Sequence, residues 1–326
     1  MWDLRAALRE AAGVEVFDAA AVRAATPWPE LMEAIAGVLG DAGALAPERH
    51  VHALALPGGA QGSLLVMPAW RSDDVIGVKA VTYFPTNAGG VTPTINAGYL
   101  LFDGQSGRLV ASLDGDELTV RRTAAVSALA ARHLARPEAG RLLVVGTGQL
   151  ATAVARAHSH GRRLTSVEVW GRNARRAGDV AAALAGHGLP ARAVDDLDVA
   201  VAGAELITCV TGATEPLIAG RLLQPGAHLD LIGSFRPDMR EADDDAVRRA
   251  AVFVDTRPGA VLAGDLARPL AAGVIDESSV VADLADLVLG RHPGRAVSEQ
   301  ITLFKSAGFA LADLAAAQLV WDSSRE

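Results

Sequence analysis

Leu142-Leu143-Val144-Val145-Gly146-Thr147-Gly148-Gln149-Leu150-Ala151 reads as a buried strand, a glycine turn and the opening of a helix. In this Gly-x-Gly-x-x-Ala pattern Gly146 permits the tight turn and Gly148 lets the backbone approach a pyrophosphate. Ala151 is small enough for helix and sheet to pack closely, and Thr147, Gln149 and Leu150 complete a loop whose helix N-terminus faces the phosphates. The pattern alone is common, so its context carries the weight. Downstream, β-branched runs at Val167–Trp170, Ala191–Val194, Leu206–Val210, His228–Ile232 and Val252–Asp255 alternate with helix-like stretches at Gln149–His160, Ala174–Gly186, Asp196–Ala202 and Asp243–Ala250. That alternation predicts βαβ units and a parallel sheet covered on both faces.

The end of the second strand discriminates between cofactors. An NAD site usually places an acid there to hold the ribose hydroxyls. Here the chain reads Val169-Trp170-Gly171-Arg172-Asn173-Ala174-Arg175-Arg176, and Glu168 lies inside the strand, two positions early. Arg172 and Arg175 beside Asn173 suit a 2′-phosphate, because a guanidinium forks onto phosphate oxygens. NADP(H) is therefore favoured over NAD(H).

Residues before Arg141 read differently. Two short helices (Asp18 and Thr26 as caps) precede extended segments at Arg49–Leu56, Ser63–Pro68, Val75–Phe84 and Ala97–Phe102. Asp103–Gly107 makes a hairpin to Leu109–Leu113, and a long helix is predicted over Thr123–Ala135. The tail, Ile301–Val320, returns to helix after a short apolar run. The expected fold is α/β: a Rossmann-type doubly wound sheet (residues 126–298) inserted into a split α+β substrate domain (residues 1–125, rejoined by 299–326).

Composition narrows the function classes. The chain has 326 residues, is 50% hydrophobic and carries a formal charge of −8, which with no basic run argues against a nucleic-acid surface. Its one cysteine, Cys209, lies in an apolar run and reads as a small core residue. Met1–Glu10 has no apolar signal core, and no stretch reaches the roughly 18 apolar residues needed to span a bilayer, so a soluble cytoplasmic protein is expected. No metal site is expected either: His158 and His160 point to different faces of one helix, and His50 and His52 have no acid or thiol nearby. Among 30 basic residues only Lys79 and Lys305 are lysines. A codon bias explains the arginine excess but not the two exceptions. Lysine can give up its proton where arginine in practice cannot, so both are candidates for chemistry.

Several further motifs occur in order: Met67-Pro68-Ala69; Gly77-Val78-Lys79-Ala80-Val81-Thr82; Asp114-Gly115-Asp116-Glu117-Leu118-Thr119-Val120-Arg121-Arg122-Thr123-Ala124-Ala125; and Thr302-Leu303-Phe304-Lys305-Ser306-Ala307-Gly308. With the glycine loop they resemble the ornithine cyclodeaminase/mu-crystallin family over nearly the whole chain. The resemblance implies a homodimer formed through the substrate domain and hydride chemistry at the α-carbon of an amino or imino acid. By motif, Arg49 and Arg122 would grip the substrate carboxylate and Lys79 would stand at the reacting carbon–nitrogen bond. The residue types agree: arginine forks match a planar carboxylate. A lysine sharing an apolar strand face with Val81 and Tyr83, near arginine charges, should have a lowered pKa. Thr211, Ser234 and Lys305 are further cofactor-side candidates, with Lys305-Ser306 closing over the nicotinamide end. Thr94 and Asn87 are candidate polar liners.

Family members that cyclise ornithine carry an aspartate in the loop after the fifth strand of the inserted domain. The corresponding loop, Gly233-Ser234-Phe235-Arg236-Pro237-Asp238-Met239-Arg240-Glu241, places Phe235 there. A phenyl ring cannot anchor an ammonium, and its apolar surface suits a cyclic, uncharged substrate tail. The wording resembles the imine-reductase branch, which implies NADPH-dependent reduction of Δ1-pyrroline-2-carboxylate, or its six-membered homologue, to L-proline or L-pipecolate. Other family chemistries remain as alternatives: cyclodeamination, alanine or N-alkyl amino-acid dehydrogenation, and non-catalytic ligand binding.

Overall fold

A computed structural model describes residues 13–325, so the segment Met1–Glu10 lies outside the described residues. The chain divides into two compact units: residues up to Arg122 together with those from Phe309 on, and Thr123–Gly308.

The first unit is built on β1 (Glu15–Phe17), β2 (Ala44–Leu45), β3 (His50–Ala55), β4 (Gln61–Arg71), β5 (Val75–Tyr83), β6 (Ile95–Asp103) and β7 (Leu109–Asp114), with helices α1 (Ala19–Ala24) and α2 (Trp28–Gly40) between the first two strands. Among the described residues these seven strands form one sheet, ordered β1-β7-β6-β5-β4-β2, with β3 also on β4. Only β1 joins in parallel. The long hairpins β4–β5 and β5–β6 set Lys79 opposite Met67 and Tyr99.

Helix α3 spans Gly115–Leu134, and the boundary between the units falls inside it. It begins eight residues before the predicted start at Thr123. The Asp114 carboxylate caps it by accepting from Glu117 N at 2.9 Å. Gly115, which lowers helix propensity in a sequence reading, is there for contact: a Cβ on it would lie 2.6 Å from the Ala97–Gly98 peptide of β6. Arg122 consequently sits about two turns inside the helix rather than at its start.

The second unit carries β8 (Arg141–Val145), α4 (Gln149–Gly161), β9 (Ser166–Trp170), α5 (Ala174–Gly186), β10 (Ala191–Ala193), α6 (Leu197–Gly203), β11 (Leu206–Cys209) and β12 (His228–Leu231). It continues through α7 (Asp244–Arg249), β13 (Ala251–Val254), α8 (Arg257–Ala260), α9 (Gly264–Ala271), β14 (Val280–Asp283), α10 (Leu284–Val288) and β15 (Thr302–Lys305). Among the described residues its eight strands are all parallel, in the order β10-β9-β8-β11-β12-β15-β13-β14. The fold is thus α/β with a Rossmann-like parallel sheet. Cys209 is buried within β11.

The short β1 and β2 of the first unit escaped the sequence reading, and so did two strands of the second. β14 and β15 are four residues each, too short to show a period, and β15 ends in lysine. Because β15 lies between β12 and β13, residues 299–308 belong to the second unit and not, as expected, to the substrate domain. The chain returns to the first unit as α11 (Ala310–Ser323), which packs on α2 and lies over β4 and β5.

One carboxylate fixes the exit from the parallel sheet. Asp255 Oδ2 accepts from Ser306 Oγ, Ala307 N and Gly308 N at 2.9, 2.8 and 2.7 Å. Asp255→Ala should cost about 2–3 kcal/mol, since hydrogen bonds to a charged group are lost together and leave donors unsatisfied. Urea unfolding would report this as a lower midpoint at unchanged slope; an unmoved midpoint would show that packing alone holds this segment.

Candidate active site

In the second unit, order reverses between β8 and β11, and ligands of open α/β sheets bind outside the carboxyl ends of the strands at such a switch point. Gly146, leaving β8, has φ +129° and would put a Cβ 2.8 Å from Val210 O, so the turn admits glycine alone. Gly148 is the N-cap of α4 and provides no side-chain hydrogen bond to its first turn. A Cβ on Gly148 would meet nothing within 4 Å, so the space over the helix N-terminus is open, while Ala151 beneath it is buried. Orphan N–H groups, the positive end of a helix dipole and open space suit a phosphate.

At the end of β9, Arg172, Asn173 and Arg175 are exposed. Asn173 caps α5 through Oδ1, accepting from Arg176 N at 3.1 Å. A Cβ on Gly171 would strike Thr147 Cγ2 at 2.5 Å, so the strand exit lies directly against the glycine loop. Glu168, the acid two positions early, is occupied by Arg192 of β10 at 2.5 Å.

Thr211 and Ser234 follow β11 and β12, and both are held from below. Glu241 accepts from Thr211 N and Oγ1 through Oε1, and from Gly233 N and Ser234 N through Oε2. Phe235 is half-buried in the same loop. Lys305 corrects an expectation. Rather than reaching a cofactor it is fully buried, with Nζ donating to Leu231 O, Ser234 O and Asp265 Oδ2 at 3.1, 2.5 and 3.1 Å. It supports the Ser234 loop, and no helix starts at Lys305-Ser306.

In the first unit, Lys79 lies in the middle of β5 and is 1% exposed. Its Nζ stands 2.8 and 2.7 Å from Oδ1 and Oδ2 of Asp313 on α11. Arg122 Nε donates to Asp313 Oδ1 at 2.9 Å. The neighbouring Arg121 is used structurally: its guanidinium lies over the Trp28 ring and donates to Thr26. Burial lowers the Lys79 pKa to about 8; the Arg122 charge adds to the fall, Asp313 opposes it and Arg49 contributes a little more. The sequence reading assigned the fall to arginine charges, whereas loss of solvent is the larger cause. Across the sheet from Lys79, Tyr99 is buried with its hydroxyl over Gly77, where a Cβ would lie 1.9 Å away.

Asp313 was missed. Its signal was available: it is the one charged residue in Ala310–Trp321, and a carboxylate on an otherwise apolar helix needs a partner. Thr94 and Asn87 lie in the loop between β5 and β6 and close it on itself: Thr94 O accepts from Phe84 N and Asn87 Nδ2 donates to Pro93 O. Among the described residues no group of three acids, histidines or cysteines could hold a metal. His158 is buried beside Ser127 Oγ and held down to about 3 by that burial. His50 and His52 stack in the open on β3.

The buried triad can be examined directly, since the chain has two lysines and labelling at lysine Cε gives two NMR signals. Lys79 should titrate near pH 8. In Asp313→Asn the opposing anion is gone, so this titration should move down by about one unit or more. An unmoved titration would mean that the two groups are not paired in solution.

The ornithine cyclodeaminase/mu-crystallin family matches residues 31–326. The chain is 40% identical to a Δ1-pyrroline-2-carboxylate reductase of Paracoccus denitrificans over 261 residues, covering 79% of this chain and 83% of that one. It is 35% identical to the ketimine reductase mu-crystallin of Rattus norvegicus over 285 residues, or 87% and 86% of the two chains. The structure of Thermococcus litoralis Δ1-pyrroline-2-carboxylate reductase in complex with NADH and L-proline superimposes with a TM-score of 0.90 at 27% identity, covering 96% and 98%. The chain belongs to the ornithine cyclodeaminase/mu-crystallin family.

Proposed function

We propose that this protein is an oxidoreductase that reduces a cyclic α-imino acid, Δ1-pyrroline-2-carboxylate or its six-membered homologue, to L-proline or L-pipecolate. The observation that carries the reading is a charge imbalance. Lys79 and Arg122, both buried, share the single carboxylate of Asp313, with the Arg49 charge close enough to act on Lys79. A buried excess of positive charge is costly and is relieved by an anion, which the substrate carboxylate supplies. Asp313 holds Arg122 through Nε, so its two Nη donors can fork onto that carboxylate, with Arg49 as second cation.

Lys79 then serves the substrate nitrogen. With a pKa of about 8 it is largely protonated at neutral pH yet close enough to its pKa to exchange a proton, the condition for general acid catalysis. It keeps the imine nitrogen protonated, which makes the adjacent carbon electrophilic. A reduced nicotinamide, when bound over Gly146–Ala151, supplies the hydride. Phe235 in place of an acid disfavours a substrate with a side-chain ammonium. The relatives' activities and the neighbour's NADH and proline support the reaction; exposed Arg172 and Arg175 support NADPH as the preferred form. The sheet face opposite Lys79 presents Leu64, Val66, Val78 and Leu100, half-buried or exposed. An apolar face of this kind supports a homodimer through the first unit, and the lone buried cysteine agrees with a cytoplasmic location.

Following NADPH oxidation with the five- and six-membered imines at acidic and neutral pH tests the reaction. Turnover of at least one is expected, falling as pH rises through the Lys79 titration; no turnover of either would defeat the proposal. For the cofactor, Arg172→Ala should raise KM for NADPH about tenfold or more, the loss of a charge-assisted phosphate contact, and barely change KM for NADH. Equal effects on the two would remove the phosphate clamp.

A further inference from the structure

Glu241 is a buried carboxylate that the proposed reaction does not use. It lies at the end of a loop where the sequence offers no reason for an acid, and its two oxygens accept four hydrogen bonds, two from Thr211 of another loop and two from the start of its own. Oε1 accepts from Thr211 N at 2.7 Å and Thr211 Oγ1 at 2.8 Å. Oε2 accepts from Gly233 N at 2.8 Å and Ser234 N at 3.3 Å. Thr211 and Gly233–Ser234 belong to different loops, those leaving the adjacent strands β11 and β12. The two loops touch: a Cβ on Gly233 would lie 2.1 Å from Thr211 O. The first of them also flanks the glycine turn, because Val210 O packs against Gly146.

The clamp is itself anchored. Asp265 Oδ1 accepts from Glu241 N at 2.7 Å and its Oδ2 pairs with Lys305 Nζ. Lys305 holds the carbonyls of Leu231 and Ser234 while Glu241 holds the amides of Gly233 and Ser234. Ser234 is thus held at its amide by a buried acid and at its carbonyl by a buried lysine, which also ties the end of β12.

We infer that Glu241 is a positioning residue that locks the loops after β11 and β12 into one surface and thereby sets the affinity for the nicotinamide dinucleotide. The inference rests on the reading that the dinucleotide binds at the switch point beside Gly146. A loop already ordered loses no freedom on binding, so preorganisation lowers the free-energy cost of association. Glu241→Gln keeps the shape, but its amide NH2 must face N–H donors on one side, which releases that loop.

Titration of the full-length protein with NADPH and with NADH, followed by fluorescence, tests the inference without turnover. Wild type should bind, and E241Q should bind both dinucleotides about 10- to 100-fold more weakly, the range expected when hydrogen bonds to a charged acceptor are lost. With imine as substrate, KM for the dinucleotide should rise in proportion while kcat at saturation stays within about threefold. A merely structural role would instead lower the active fraction and leave KM alone. Unchanged affinity in folded E241Q overturns the inference and leaves the reductase reading intact; a wild type that binds neither dinucleotide removes both. Should E241Q fail to fold, the pair Thr211→Val and Thr211→Ser decides. The valine lacks the hydroxyl donor to Glu241 and should bind about fivefold more weakly than the serine, and equal affinities overturn the inference.

Discussion

Asp313 places one negative charge between two cations in the interior of the first unit, and the chain order gives that contact its reach. Arg122 is the last residue before the chain leaves this unit and Asp313 lies five residues into the return at Phe309. The ion pair therefore joins positions 191 apart in sequence and closes the unit around the point where the parallel-sheet domain is inserted. Removing one partner of a buried pair costs about 3–5 kcal/mol because the remaining charge is stranded. Here, losing Asp313 would strand two. The same carboxylate thus couples the completeness of the first unit to the protonation of Lys79, since the helix that supplies it can form only after the second unit has been synthesised.

The two lysines show how burial can lead to opposite uses. Both are at most 1% exposed. Lys305 spends its donors on two carbonyls and a carboxylate that has only one other use, holding the Glu241 and Ala242 amides. It is a strut. Lys79 has a carboxylate too, but shares it with Arg122, and burial, with that arginine charge adding to it, pushes the ammonium toward losing its proton. Arginine could replace neither well: it would be too large for the Lys305 cage and unable to release a proton at the Lys79 position. In a chain that otherwise uses arginine throughout, the two exceptions are explained by different physics.

What the sequence made legible follows from how local each signal is. The Gly146–Ala151 loop could be read because turn, close approach and helix packing each demand a small residue at a fixed spacing: Val210 O lies against Gly146, open space lies over Gly148, and Ala151 is buried. The βαβ pattern survived for the same reason. By contrast β15 is four residues whose strand identity is set by β12 and β13 on either side, and tertiary pairing of that kind leaves no period to detect. The start of α3 was hidden because Gly115 answers to β6 rather than to helix propensity. Lys79 was visible as a compositional exception, whereas its partner was not. Asp313 is one of 38 acidic residues and is distinguished only by the apolar helix around it.

The two buried clusters also differ in sign, which bears on what each unit can bind. In the first unit a lysine, an arginine and one aspartate leave positive charge over, and no other buried acid on α11 offsets it. In the second, Glu241, Asp265 and Asp230 outnumber Lys305 in buried acids; burial pushes Asp230 up to about 7, and burial and the nearby Asp265 raise Glu241. Peptide N–H groups and hydroxyls of the chain itself meet Glu241, Asp265 and one oxygen of Asp230, while among the described residues Asp230 Oδ1 has no hydrogen-bond partner. Under the proposed reaction the two clusters divide the work: the buried acids of the second unit hold the loops after β11 and β12, and the Lys79–Arg122 pair, with one aspartate between two cations, gains most where a small carboxylate enters.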